Sequence, residues 1–160
     1  MLRTLVLVLA VLGTSSCHDG RKETLVILGD STAGHLQDSP HGVDSLKALQ
    51  QKFRTVRFVE IPPGNKSLHM YAQLAPGLDL NGDILLVLAG GHDVLYNKED
   101  GSAYADALKA EYLRQRKGQP AHFIWFDTSQ LNKWDSAMRV DEWHLNANGY
   151  VELGMVVGLW

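Results

Sequence analysis

Four short segments of the chain carry the residue types that nucleophilic chemistry requires. Three are glycine-rich or polar turns, GDSTAG at 29–34, PPGNKS at 62–67 and AGGHD at 89–93, and the fourth is DEWHLNANGY at 141–150. Between them they supply a hydroxyl, imidazoles, carboxylates and backbone N–H groups. A serine hydroxyl needs such neighbours, because it is a poor nucleophile until a base removes its proton.

Each segment also has an ordinary structural interpretation. Gly-Asp-Ser after a strand is good turn chemistry, and taken alone it favours a structural role for Ser31. Asp141 and His144 lie three residues apart, so their side chains share a face if the chain there forms a helical turn. Equally, Asp141 can be the N-cap of the last helix, with His144 on that helix's surface.

The elements that must position these segments alternate between strand and helix patterns. Residues 24–28 (TLVIL) and 83–91 (DILLVLAGG) are continuously apolar, which is typical of strands covered on both faces. Two further β-rich runs lie at 55–61 (TVRFVEI) and 121–127 (AHFIWFD). The sequence therefore predicts four strands.

Helical patterns lie between and after the strands. Ser39 and Pro40 predict the N-cap and first turn of one helix. The apolar face of that helix is predicted to comprise Val43, Leu46, Leu49 and Phe53. A second helix is predicted from Ser102, and the closing segment at 146–160 is apolar with helical character.

Strands that alternate with helices predict an α/β class, a doubly wound and mostly parallel sheet with helices on both faces. The chain has 160 residues and 45% hydrophobic content, so we expect one domain, at 24–160. In such sheets ligands bind beyond the carboxyl ends of the strands, where the connecting loops converge. The three turns each follow a strand and are expected to meet there.

Together the four segments resemble the sequence blocks of the SGNH (GDSL) hydrolases. VILGDSTAG is similar to the first block, PPGNKS to the glycine block after the second strand, AGGHD to the GxND block and DEWHL to the DxxH block. They follow the family's order. The resemblance implies a flavodoxin-like hydrolase fold and a serine esterase or acyl-hydrolase that needs no metal or organic cofactor. Its implied substrate is a small-molecule or glycan ester.

Carried over residue by residue, the resemblance makes Ser31 the nucleophile, His144 the general base and then acid, and Asp141 the group that orients the imidazole. It also implies an oxyanion hole formed by the backbone N–H groups of Ser31 and Gly64 and by the His92 side chain. His92 stands where the family carries Asn, and its donor depends on the ring tautomer. Loss of one oxyanion donor costs on the order of a hundredfold to a thousandfold in turnover.

Other functions were weighed against the same residues. A non-catalytic lipoprotein of this fold that binds an acylated glycan or lipid is favoured by His92 and opposed by the intact set of Ser31, Asp141 and His144. AGGHD also resembles an element of metallophosphoesterases, but an upstream DxH and a terminal GHxH are absent. Nucleotide-binding GxxxxGK[ST] and GxGxxG motifs are absent too.

For the remaining polar and aromatic residues, the sequence indicates a structural role, a place near the site or no function. Asp30 and Asp93 are expected to tie loops together through backbone hydrogen bonds, and Trp143 is expected close to the site. Four histidines follow no metal-ligand spacing and are assigned no function: His35, His41, His69 and His122.

The N-terminal segment at 1–16 has the pattern of a secretory signal, with Arg3 before an apolar run and small residues before Cys17. It resembles a bacterial lipoprotein signal, which implies lipidation of Cys17, a tether at 17–23 and a membrane-anchored location facing the periplasm or cell surface. Thr14 stands where such signals carry an aliphatic residue, so simple secretion is the alternative.

Charge excludes one class of partner. The formal net charge is -3 and no run of Lys or Arg stands out, so nucleic acid is not an expected partner.

Overall fold

A four-stranded parallel sheet forms the centre of the chain in a computed structural model that describes residues 23–59 and 67–159. The strands are β1 (Thr24–Gly29), β2 (Thr55–Phe58), β3 (Ile84–Leu88) and β4 (His122–Phe126). Their spatial order is β2-β1-β3-β4, and every pair is parallel. The predicted doubly wound α/β class is confirmed.

Within the described ranges, five α-helices cover the two faces of this sheet. They are α1 (Ser31–Asp38), α2 (Val43–Lys52), α3 (Leu68–Leu74), α4 (Ser102–Arg116) and α5 (Ala147–Val156). The apolar side chains of α1, α2 and α5 share one core with the sheet, and those of α3 and α4 share the other. None of the helices in the described ranges is both long and apolar enough to cross a membrane.

The two cores follow from the alternation of side chains along β1. Leu25 and Ile27 belong to the core under α1, α2 and α5, whereas Val26 and Leu28 belong to the core under α3 and α4. All four are at most 1% exposed. Successive side chains of a strand point to opposite faces, so a strand covered on both sides must be apolar throughout.

The order of the strands also locates a crevice. The chain leaves β1 for β2 on one side, and β3 then pairs with β1 on the other side. Connections that depart in opposite directions leave a gap beyond the carboxyl ends of β1 and β3, the usual ligand position in doubly wound sheets.

Several predicted element boundaries were wrong, and the strand predicted at 55–61 ends at Phe58. Ser39 and Pro40 do not begin α2; Ser39 is the C-cap of the preceding helix α1, and α2 begins at Val43 after Gly42. Val43 is 39% exposed, so it does not share the buried face of Leu49. The helix pattern was shifted because α1 itself, which occupies the turn after β1, was not predicted.

The predicted strand at 83–91 is also shorter in the structure, since β3 ends at Leu88. Gly90 has a φ of +129°, a backbone conformation that ends the strand and favours glycine. A short helix at 68–74 was not predicted either, and it is α3.

Candidate active site

Ser31 is the first residue of α1, directly beyond the carboxyl end of β1. Asp30 is the N-cap of this helix, and its Oδ1 accepts a hydrogen bond from the Thr32 N–H at 2.8 Å. The backbone passes close to β3 here, because a Cβ at Gly29 would overlap the Leu88 carbonyl oxygen. The sharp strand-to-helix turn leaves Ser31 exposed.

Two buried tyrosines, one on each face of the sheet, donate hydrogen bonds to the backbone of this turn. The Tyr71 hydroxyl of α3 donates to the Gly29 carbonyl at 2.8 Å, and the Tyr150 hydroxyl of α5 donates to the Thr32 carbonyl at 2.9 Å. Burial raises the pKa of both phenols above the ordinary value, so both remain donors. The Ser31 backbone is therefore fixed on both sides.

A hydrogen-bonded chain joins the turn after β1 to the turn after β3. The Thr128 hydroxyl donates to Asp30 Oδ2 at 2.6 Å and accepts from the Gly91 N–H at 2.9 Å. Burial raises the pKa of Asp30, while the hydrogen bonds from Thr128 and Thr32 act in the opposite direction. Asp30 thus ties loops together, as the sequence predicted.

Asp93 has the same kind of structural role and is fully buried. Its carboxylate accepts from the Leu68 N–H at 2.7 Å and from the His69 N–H at 3.1 Å. These N–H groups lie in the first turn of α3, where helix donors have no intrahelical partner. Asp93 therefore anchors the AGGHD turn to α3 and fixes the backbone next to His92.

Asp141 and His144 form a hydrogen-bonded pair in the loop before α5. Asp141 Oδ1 accepts from the backbone N–H groups of Trp143 (2.8 Å) and His144 (2.9 Å), and Oδ2 lies 2.8 Å from His144 Nδ1. The hydrogen bond from the His144 ring is the largest cause that lowers the pKa of Asp141 to about 2. An ionised carboxylate only accepts, so Nδ1 carries the proton and Nε2 is left with its lone pair.

The local structure of this pair differs from both sequence interpretations. Residues 141–144 form an irregular turn, closed by a hydrogen bond from the Val140 N–H to the His144 carbonyl at 2.8 Å. The N-cap of α5 is Asn146, not Asp141. Asp141 and His144 meet because one carboxylate oxygen caps the turn and the other reaches the ring.

One cleft of about 520 Å³ brings three of the predicted site residues together. Ser31, His92 and His144 all line it, at the crevice beyond β1 and β3. Within residues 23–59 and 67–159, no hydrogen bond joins the Ser31 hydroxyl to His144. Such bonds are often long in ligand-free sites and tighten when substrate binds.

His92 enters the cleft with one ring nitrogen buried. Its Nδ1 has no hydrogen-bond partner, and its ring lies 5.2 Å from that of Tyr96 between centroids. A proton on Nδ1 would be a buried donor without an acceptor, which is costly. Nε2 is not among the buried unpartnered atoms, so a donor role for His92 requires the tautomer with the proton on Nε2.

Three contributors to the site were missed by sequence reasoning. The His35 ring stacks on His144 with centroids 4.0 Å apart, and Tyr96 and Thr128 line the cleft. His35 follows Ser31 by four residues, a spacing that places both on one side of a helix, but only once α1 is recognised. Trp143 lines the cleft as expected.

Two predicted site residues, Gly64 and Cys17, lie outside the described residues, as do the predicted signal at 1–16 and most of the tether. No group of three or more His, Cys, Asp or Glu side chains in the described part of the chain is arranged to hold a metal ion.

The fold and the cleft define the class as a doubly wound α/β protein with a serine and an Asp-His pair at its crevice. No family model, no curated protein and no solved structure matches the chain.

Proposed function

We propose that this protein is a serine ester hydrolase that works through a covalent acyl-enzyme on Ser31. The observation that carries the proposal is the Asp141–His144 hydrogen bond in the loop that brings His144 into the same cleft as Ser31. It supplies a base with a fixed tautomer beside a hydroxyl exposed on a strand-to-helix turn. The resemblance of the four segments to SGNH hydrolase blocks supports the same function.

In the first step, the Ser31 oxygen forms a bond to the acyl carbon while its proton passes to His144 Nε2. The tetrahedral intermediate collapses, the ester C–O bond breaks, and the alcohol leaves with the proton that His144 returns. Water then repeats the sequence and releases the carboxylic acid. Asp141 stabilises the imidazolium in both halves without taking the proton.

The negative oxygen of the intermediate has two donors among the described residues. The Ser31 N–H is the first N–H of α1, a position where the helix itself offers no acceptor. It has no hydrogen-bond partner within the described ranges and is therefore directed outwards from the start of the helix. The helix dipole favours negative charge at this end. The Nε2–H of His92 is the second donor, and the Gly64 N–H remains a sequence-based prediction.

The lining of the cleft favours a small ester with an apolar part. Leu95, Tyr96 and Trp143 line it, and Tyr96 is 67% exposed. Aromatic rings at a cleft mouth can pack on an acyl chain or on the apolar face of a sugar. We therefore propose acetyl or short acyl esters, on a small molecule or a glycan, as substrates.

Turnover of p-nitrophenyl esters from acetate to octanoate tests the proposal. Ser31→Ala is expected to abolish hydrolysis, whereas Ser102→Ala, at the equivalent first position of α4, leaves it unchanged. Equal rates for wild type and Ser31→Ala across the series would contradict the proposal.

A non-catalytic binding protein is the second candidate. It is favoured by the absence, among the described residues, of a Ser31–His144 hydrogen bond. It predicts that wild type and Ser31→Ala bind an acylated glycan equally well and that neither hydrolyses it.

A further inference from the structure

His35 lies flat against the proposed base. Its ring is 4.0 Å from that of His144 between centroids, and the two planes differ by 8°. His35 belongs to α1, one turn after Ser31, so the helix that presents the proposed nucleophile also presents this ring. The contact therefore ties the loop of the Asp-His pair to the helix of the serine.

The contact is made by the ring face and not by a hydrogen bond. The Nδ1 of His35 is buried without a partner, and neither ring nitrogen is hydrogen-bonded within the described ranges. A buried polar atom without a partner does not stabilise the fold, so the Nδ1 atom contributes nothing to this contact. The part of His35 that contacts His144 is the flat face of its ring.

The surroundings of His35 favour its neutral form. Burial lowers its pKa, and the neighbouring His144 and His41 act in the same direction, while Asp141 acts against them. A neutral imidazole beside His144 presents a π face to the imidazolium that forms in catalysis, which is an attractive arrangement. A protonated one would repel it.

We infer that His35 is a positioning residue that fixes the ring plane of His144 between Asp141 and the Ser31 side of the cleft. The inference rests on the proposed function, since it assigns His144 the work of a base. His35 itself moves no proton. Its ring blocks one face of His144, so the base cannot rotate away from the Asp141 carboxylate.

A role for the ring face makes two substitutions differ. His35→Phe keeps a flat ring and removes the buried unpartnered nitrogen, whereas His35→Ala removes the ring. His41→Phe is the matched control. His41 lies in the turn between α1 and α2, and among the described residues its ring has no contact with that of His144.

The rate at which a fluorophosphonate labels Ser31 measures the effect on the base. A misplaced reacting group costs up to about a hundredfold, so His35→Ala is expected to slow labelling by about ten- to a hundredfold. His35→Phe and His41→Phe are expected to stay close to wild type at pH 7. Equal rates for His35→Ala and wild type would overturn the inference, as would a His35→Phe as slow as His35→Ala.

The tautomer of His144, read from its ring ¹⁵N chemical shifts, tests the same inference without any turnover. Wild type and His35→Phe are expected to hold the proton on Nδ1, and His35→Ala to show a mixture of tautomers. If folded wild-type protein leaves Ser31 unlabelled, the proposed function fails, while this measurement still decides the role of His35. If His35→Ala does not fold, His35→Phe provides the test. A labelling rate and a His144 tautomer that both differ from those of wild type would then overturn the inference.

Discussion

Replacing Asp141 by Asn separates the orientation of His144, the proposed base, from the shape of the loop. The Asn Oδ1 can still accept from the N–H groups of Trp143 and His144, so the turn is kept. The amide NH₂ would replace Oδ2, which lies 2.8 Å from His144 Nδ1. Two donors cannot face each other, so His144 must move its proton to Nε2 and can no longer accept one from Ser31.

The expected loss is large because the wrong tautomer removes the base altogether. In serine hydrolases with such a triad, this change lowers turnover by about 10⁴-fold, which corresponds to about 5 kcal/mol of transition-state stabilisation. The same factor is expected here for the rate of p-nitrophenyl acetate hydrolysis and for fluorophosphonate labelling, measured on a variant whose circular dichroism shows that it is folded.

Glu142→Gln is the matched control, since it removes one negative charge from the next residue of the same turn. Glu142 is exposed, and its carboxylate has no hydrogen bond or ion pair within the described ranges. The turnover of Glu142→Gln should equal that of wild type. A folded Asp141→Asn protein that keeps more than about a tenth of the rate would refute the tautomer argument.

Three further outcomes follow from the packing around the site. Thr128→Val removes a hydroxyl that serves a partly buried carboxylate and a backbone N–H, so urea unfolding should show a loss of about 1–3 kcal/mol, whereas Thr55→Val, at an exposed position of the edge strand β2, should not. Gly90→Ala must adopt a φ of +129° and should cost more than about 1 kcal/mol, whereas Gly34→Ala in open space within α1 should be neutral or stabilising in the same titration. Because the pKa of His35 is lowered in the folded state, the free energy of unfolding should fall as the pH drops below about 6.5, and His35→Phe should make that fall shallower.

The sheet was predictable from the sequence because strands that are buried on both faces must be apolar throughout. Leu25 to Leu28 have no polar residue among them, and the turns at Gly29 and Gly90 mark where β1 and β3 end. Short helices were harder to predict. With only eight residues, α1 is too short to show a sustained helical period, and the strongest signal for this helix is the capping carboxylate of Asp30.

The candidate site was predictable only in part. Asp141 and His144 were paired correctly, but for a different reason, since a capped turn and not a helical face brings them together. The stacking of His35 on His144 depends on how α1 packs beside the loop before α5, a long-range contact that spacing along the chain does not encode. The same holds for Thr128, which reaches Asp30 across the crevice.

The central claim is that Ser31 is an activated nucleophile, and mass spectrometry of intact protein after exposure to a fluorophosphonate tests it most directly. Wild type is expected to gain one adduct, which peptide mapping should place on Ser31, and folded Ser31→Ala is expected to gain none. Folded wild-type protein that stays unlabelled, or an equal adduct on Ser31→Ala, would contradict it.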